Sequence, residues 1–179
     1  MIPFEWLQLG TFIVGLLTII TALFVHFHQI CEKRRDDERK EIYKKLNEFY
    51  APFDQLRQKS SRLYEVFKGS RGDEFRTLPA LLRKEDFSQN ELQLLQEIIS
   101  IDKQLEIMII EKSGLIDKPD IRILLSKAAT HFYIIRAASE GMLVGDVDRF
   151  ISYVFPRELD DAIKQEISDL NLRLKALKK

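Results

Sequence analysis

The stretch Leu7–Phe27, LQLGTFIVGLLTIITALFVHF, decides how the rest of the chain is read. Its 21 residues include no Asp, Glu, Lys or Arg. At about 1.5 Å of rise per residue, a helix of this length crosses a hydrocarbon core of about 30 Å. The sequence therefore predicts an N-terminal transmembrane helix. A cleaved signal peptide fits poorly: no basic residue precedes the run, which is too long for an h-region and has no small-x-small cleavage site. His28, Gln29 and Ile30 before Cys31 do not form a lipobox.

Around this helix the residues are sorted. Gln8, Thr11, Gly15, Thr18, Ala22, Val25 and Gln29 follow the alternating spacing of three and four that keeps side chains on one face. All but Val25 are small or polar, whereas Leu9, Phe12, Ile13, Leu16, Leu17, Ile20, Leu23, Phe24 and Phe27 suit lipid. Membrane helices associate where small residues admit close backbone contact and polar groups bond across the seam. The strip Gln8, Thr11, Gly15, Thr18, Ala22 and Gln29 is thus the expected self-association face. Orientation follows from Lys33, Arg34, Arg35, Arg39 and Lys40 directly after the run and no cation before it. The N-terminus is expected outside and the bulk of the protein in the cytoplasm, with Phe4 and Trp6 at the outer interface.

Beyond the anchor the composition is balanced. The chain of 179 residues has 28 Lys plus Arg and 28 Asp plus Glu, and Glu5 is the only such charge before Glu32, so the remainder carries a net charge of +1. That excludes the basic footprint of a nucleic-acid binder. The single cysteine cannot form an intramolecular disulfide, and seven Gly and five Pro among many Leu, Ile, Glu, Lys and Gln favour helix over strand.

Glu32–Glu41, EKRRDDERKE, is a charged spacer with five cations and five anions, which rules out a polybasic lipid-binding segment. Lys33 with Asp37, Arg34 with Glu38 and Asp36 with Lys40 are its expected i,i+4 pairs. From Ile42 an apolar stripe runs through Leu46, Phe49, Phe53, Leu56, Ser60, Leu63 and Phe67, with Pro52 expected to kink or break it. Ser88 and Glu91 make a capping box, with Phe87 and Leu92 as its hydrophobic staple, and open a helix to about Lys112. Pro119 opens another, closed by Gly141 and Gly145, and Pro156 the last. Short helices are expected around 78–84 and 147–154.

Motifs that would carry chemistry are few. His26 and His28, two apart, point away from each other on a helix, and His131 has no partner legible in the sequence. No phosphate-binding glycine loop, GxSxG or HExxH occurs. Neither a catalytic constellation, nor a metal site, nor a cofactor is expected. Basic and aromatic residues interleave at Tyr50, Arg62, Tyr64, Lys68 and Arg71, which form a candidate ligand or partner surface.

These readings combine into an all-α fold: a single N-terminal transmembrane helix (1–31), a charged helical spacer (32–41) and a cytoplasmic helical bundle (42–179). The bundle has four main helices, at 42–68, 88–112, 118–140 and 156–178. The expected function is non-enzymatic. It is a single-pass signal-anchor module of the plasma or bacterial inner membrane that self-associates into a homo-oligomer and presents its bundle to a cytoplasmic protein or small ligand. The alternative is a small membrane effector of defence or toxin type, whose bundle senses a ligand or partner and whose clustered transmembrane helices perturb the bilayer.

Overall fold

The computed structural model describes residues 4–143 and 148–178, with the side chains of residues 4–14, 16, 19 and 151 outside that description. Among the described residues all regular structure is helical: α1 Phe4–Lys45, α2 Ala51–Lys68, α3 Thr77–Leu82, α4 Gln89–Glu111, α5 Pro119–Ser139, α6 Asp148–Ile151 and α7 Glu158–Ala176. Gly145, expected to close the α5 region, and position 147, at the start of the expected short helix, lie outside the described residues.

The expected helix from Ile42 is not a separate element. α1 and α2 join through one π-turn, Leu46–Tyr50, and the backbone is helical without a break from Phe4 to Lys68. The cause is local. Pro52 has no N–H to return along the ladder, and the Ala51 N–H directly before it reaches back five residues to the Leu46 carbonyl. The wider turn absorbs the defect where the sequence predicts a kink or break, and Pro52 then sits in the first turn of α2, where its missing donor costs little.

α2 lies along α4, α4 along α5, and α7 packs against α5, α2 and the π-turn. Their main core joins Ile42, Phe49, Phe53, Leu105, Leu125, Phe132, Leu159 and Ile163. At its centre Phe49 meets Tyr50 edge-on at 5.1 Å and stacks with Phe53 at 5.4 Å. A second cluster, Phe67, Leu95 and Ile98, holds the loop after α2, and a third joins Leu78 of α3 to Ile134, Ile135 and Ala138 of α5.

Helix ends follow their signals. The Glu91 amide donates to Ser88 Oγ at 3.3 Å, and the Ser88 amide donates to Glu91 Oε2 at 2.7 Å, closing the capping box. At the end of α5, Gly141 has φ +69°. Its amide donates to Ala138 O at 3.1 Å, while Met142 donates to Ala137 O at 2.9 Å, the paired bonds of a Schellman stop.

The spacer behaves differently from its i,i+4 reading. The ion pairs within it are Asp36 with Arg39 and Asp37 with Lys40, three residues apart, while Glu38 is taken by Arg173 of α7 at 2.7 Å. About two turns after Glu38, Lys45 is buried. Burial alone would lower the pKa of its ammonium, but hydrogen bonds to Asp117 and to Glu41, the latter at 2.6 Å, outweigh this and raise it. α1 is thereby tied to both the α4–α5 turn and α7.

Among the described residues no helix is long and apolar enough to cross a membrane. The expected span Leu7–Phe27 includes residues 7–14, 16 and 19, whose side chains lie outside the described ones.

The packing sets which positions matter. Phe49→Ala, at the centre of the core, is expected to cost about 3–5 kcal/mol, whereas Ile110→Ala, at a side chain 65% exposed on the outside of α4, should cost less than about 0.5 kcal/mol. Denaturant unfolding of the full chain in mild detergent checks both.

Candidate functional site

A cleft of about 1070 Å³ is bounded by α2, α4, α5, the start of α3 and the segment leading into α7. The stripes of α2 and α4 that face each other are apolar except at one level, where Ser60 and Asp102 meet, with Ser60 Oγ donating to Asp102 Oδ1 at 3.0 Å. Asp102 is only 6% exposed. Tyr153, Val154, Phe155 and Arg157 also line this cleft, and residues 152–158 line a second hollow of about 790 Å³, so the segment runs between the two as a strap. The strap is pinned at two residues. His131 Nδ1 lies 2.7 Å from Tyr153 O. Phe155 stacks with Phe132 at 5.9 Å and carries the Arg57 guanidinium 4.0 Å over its ring.

Arg57 is the electrostatic centre of this arrangement. Its Nη2 donates to Asp160 Oδ2 at 3.2 Å, and its Nε lies 3.0 Å from Asp160 Oδ1, a two-point ion pair. Its charge also reaches Asp102 and His131. Burial pushes the Asp102 carboxyl up to about 6, against the hydrogen bond from Ser60 and the charge of Arg57. Burial likewise raises Asp160, with Arg57 opposing. For His131 burial lowers the pKa and the bond to Tyr153 works the other way. A carbonyl can only accept, so Nδ1 carries the proton and Nε2 keeps its lone pair in a ring that is neutral at pH 7.

The five residues of the expected ligand surface are dispersed. Tyr50 is fully buried in the core. Arg71 pins the loop after α2: it pairs with Glu91, donates to Phe67 O at 2.9 Å and lies 4.9 Å over the ring of Phe75. Arg62 is exposed. Only Tyr64 and Lys68 line the cleft, the first donating to Phe75 O at 3.1 Å and the second paired with Asp73 at 2.6 Å. On α1, Gly15, Thr18, Ala22 and Gln29 are exposed, and a Cβ built at Gly15 meets nothing within 4 Å. The side chains of Gln8 and Thr11 lie outside the described residues.

Sequence reasoning missed Arg57, Ser60, Asp102 and Asp160, and left His131 without a partner. A signal was present for two of them. Ser60 and Asp102 each occupy a core position of an otherwise apolar stripe, Phe53-Leu56-Ser60-Leu63-Phe67 and Leu95-Ile98-Asp102-Leu105-Ile109. Two polar residues in stripes that pack together mark a polar seam.

The raised Asp102 has a measurable consequence. The unfolded chain releases this proton near its ordinary value of 3.8 and the folded chain holds it to about 6. The fold therefore loses stability as pH rises between those values and stays at the lower level above them. Replacing the carboxyl by the isosteric amide removes that loss. Thermal unfolding of Asp102→Asn against the native chain should show a gain of about 2–3 kcal/mol at neutral pH, at roughly 1.4 kcal/mol per pKa unit, shrinking toward zero near pH 4. No family model, curated protein or solved structure matches the chain, so a functional reading rests on the geometry of its own sites.

Proposed function

We propose that the chain is a single-pass, membrane-anchored interaction module, N-terminus outside, that self-associates through α1 and presents its helical bundle to a cytoplasmic protein or small ligand. The observation that carries this reading is the uncovered surface of α1. Leu17, Ile20, Leu23, Phe24 and Phe27 are all exposed, Phe24 at 70% and Phe27 at 66%. At 100° per residue they fill one arc about 120° wide. Gly15, Thr18, Ala22 and Gln29 fall in a narrower arc on the opposite side. An apolar surface of this size facing water is strongly disfavoured, at about 25 cal/mol per Å². Lipid around the large side chains and a second α1 against the small ones would cover both arcs.

Two measurements test it. The intact chain should float with phospholipid vesicles and residues 32–179 should not. Gly15→Leu with Ala22→Ile should lower the oligomer size of the detergent-solubilised chain and weaken a membrane association reporter, while Ile20→Leu with Leu23→Ile should leave both unchanged. Equal effects from the two pairs would remove the strip as the interface.

A second reading, the membrane effector, draws on the continuity of the helix from Phe4 to Lys68, which makes the anchor and one wall of the cleft a single rod. It predicts that expression of the intact chain admits a membrane-impermeant dye and arrests growth, both effects being lost on removal of residues 1–31. A harmless intact chain that co-purifies with a cytoplasmic partner favours the module.

A further inference from the structure

The cleft of the bundle contains hydrogen-bond acceptors that the fold leaves short of donors. Ser60 serves Oδ1 of Asp102, and among the described residues no hydrogen bond reaches Oδ2, although a carboxylate has room for about four donors. Oδ2 of this cleft-lining residue therefore keeps acceptor capacity that a ligand can use. The second acceptor is His131 Nε2, since Nδ1 is committed to Tyr153. Two of the cations along the cleft are paired with carboxylates: Arg57 with Asp160, and Lys68 with Asp73. Between the acceptors and the rim the walls are apolar, formed by Leu95, Ile98, Phe132 and Ile135, and the volume suits a small organic molecule. At the rim Arg157 and Lys164 are exposed on the side of α7.

We propose that this cleft binds a small molecule with an apolar, ring-like body and an edge of N–H donors, the chemistry shared by amidines and amino-substituted nucleobases. The N–H edge donates to Asp102 Oδ2 and His131 Nε2, and the ring lies against the apolar walls. The Ser60 hydroxyl holds the carboxylate in place from the opposite oxygen. Arg57, paired with Asp160 and lying over the ring of Phe155, holds the strap against α2. An anion alone is a poor occupant beside Asp102 and His131, because it would face a carboxylate and a nitrogen lone pair with no donor between them. A hydrocarbon is worse, because it would bury Asp102 with its deficit unrelieved. The site is independent of how α1 is covered, so it stands or falls separately from the membrane reading.

Titration calorimetry and thermal shift on the full chain in detergent, with benzamidine, guanosine and guanosine monophosphate as probes, test the site. At least one probe should bind saturably at one per chain and raise the unfolding temperature, and Asp102→Asn should weaken it about tenfold or more. Because that substitution is expected to stabilise the free chain, lost binding cannot be ascribed to unfolding. Benzamidine alone would place the ligand among cationic amidines. Guanosine would place it among nucleobases. A further gain with the monophosphate, removed by Arg157→Ala with Lys164→Ala, would identify a nucleotide. If none of the three binds saturably, or if Asp102→Asn binds as well as the native chain, the proposal is overturned.

Discussion

A single missing backbone donor governs how this chain is put together. Pro52 cannot return a hydrogen bond into the preceding turn, and the helix answers by widening Leu46–Tyr50 into a π-turn and continuing. A broken helix would let α1 hinge against the bundle. The unbroken one ties the direction of α1 to the core, because Ile42 before the turn, Phe49 within it and Phe53 after it are all buried there. Lys45, held by Glu41 and Asp117, and Glu38, held by Arg173, add charged ties on the N-terminal side of the same turn. These ties differ in strength. The Glu38–Arg173 pair is largely exposed and is worth at most about 1 kcal/mol, whereas Lys45 is buried and removing one of its carboxylates would leave a cation short of its partners.

How much of this was legible in the sequence depends on whether the signal was periodic or positional. Helices announced by caps came through: the Ser88–Glu91 box opens α4, Pro119 opens α5 and Gly141 closes it, because each of those residues satisfies an orphan backbone group in only one way. The π-turn was not legible, since periodicity assumes a constant 100° per residue. On a straight helix Tyr50 falls about 80° off the stripe of Ile42 and looks like a surface residue. The slower winding of the π-turn brings it round into the core. The spacer pairs failed for another reason: i,i+4 rules treat a helix as isolated, and Glu38 has a better partner in Arg173, 135 residues along the chain.

The candidate site was less legible than the fold because it is made of long-range meetings. Arg57 and Asp160 are 103 residues apart, His131 and Tyr153 are 22 apart, and no local pattern pairs them. Only the Ser60–Asp102 seam left a trace, as two polar residues at core positions. Reading it required knowing that α2 and α4 face each other, which the stripes alone do not specify. The interleaved cations and aromatics that did stand out, Arg71 above all, turned out to hold a loop: Arg71 gathers Phe67, Phe75, Phe87 and Glu91 around one guanidinium. An arginine whose planar face and fork are both occupied by its own chain has little left for a partner.

The polar seam sets the last constraint. Two apolar residues at positions 60 and 102 would pack the α2–α4 interface with no desolvation penalty, and buried polar groups replaced by well-packed apolar ones are commonly neutral or stabilising. Stability therefore does not account for the seam, which lines the same cleft as the strap pinned by His131 and by Phe155 against Arg57, the cleft for which a ligand is proposed. Whatever fills the cleft acts on α2, and α2 is the same rod as α1. A ligand can change the disposition of α1 only to the extent that it binds one arrangement of that rod better than another. The groups able to discriminate are those α2 contributes to the cleft, Arg57 and Ser60 foremost, because they belong to the rod while Asp102 and His131 belong to α4 and α5.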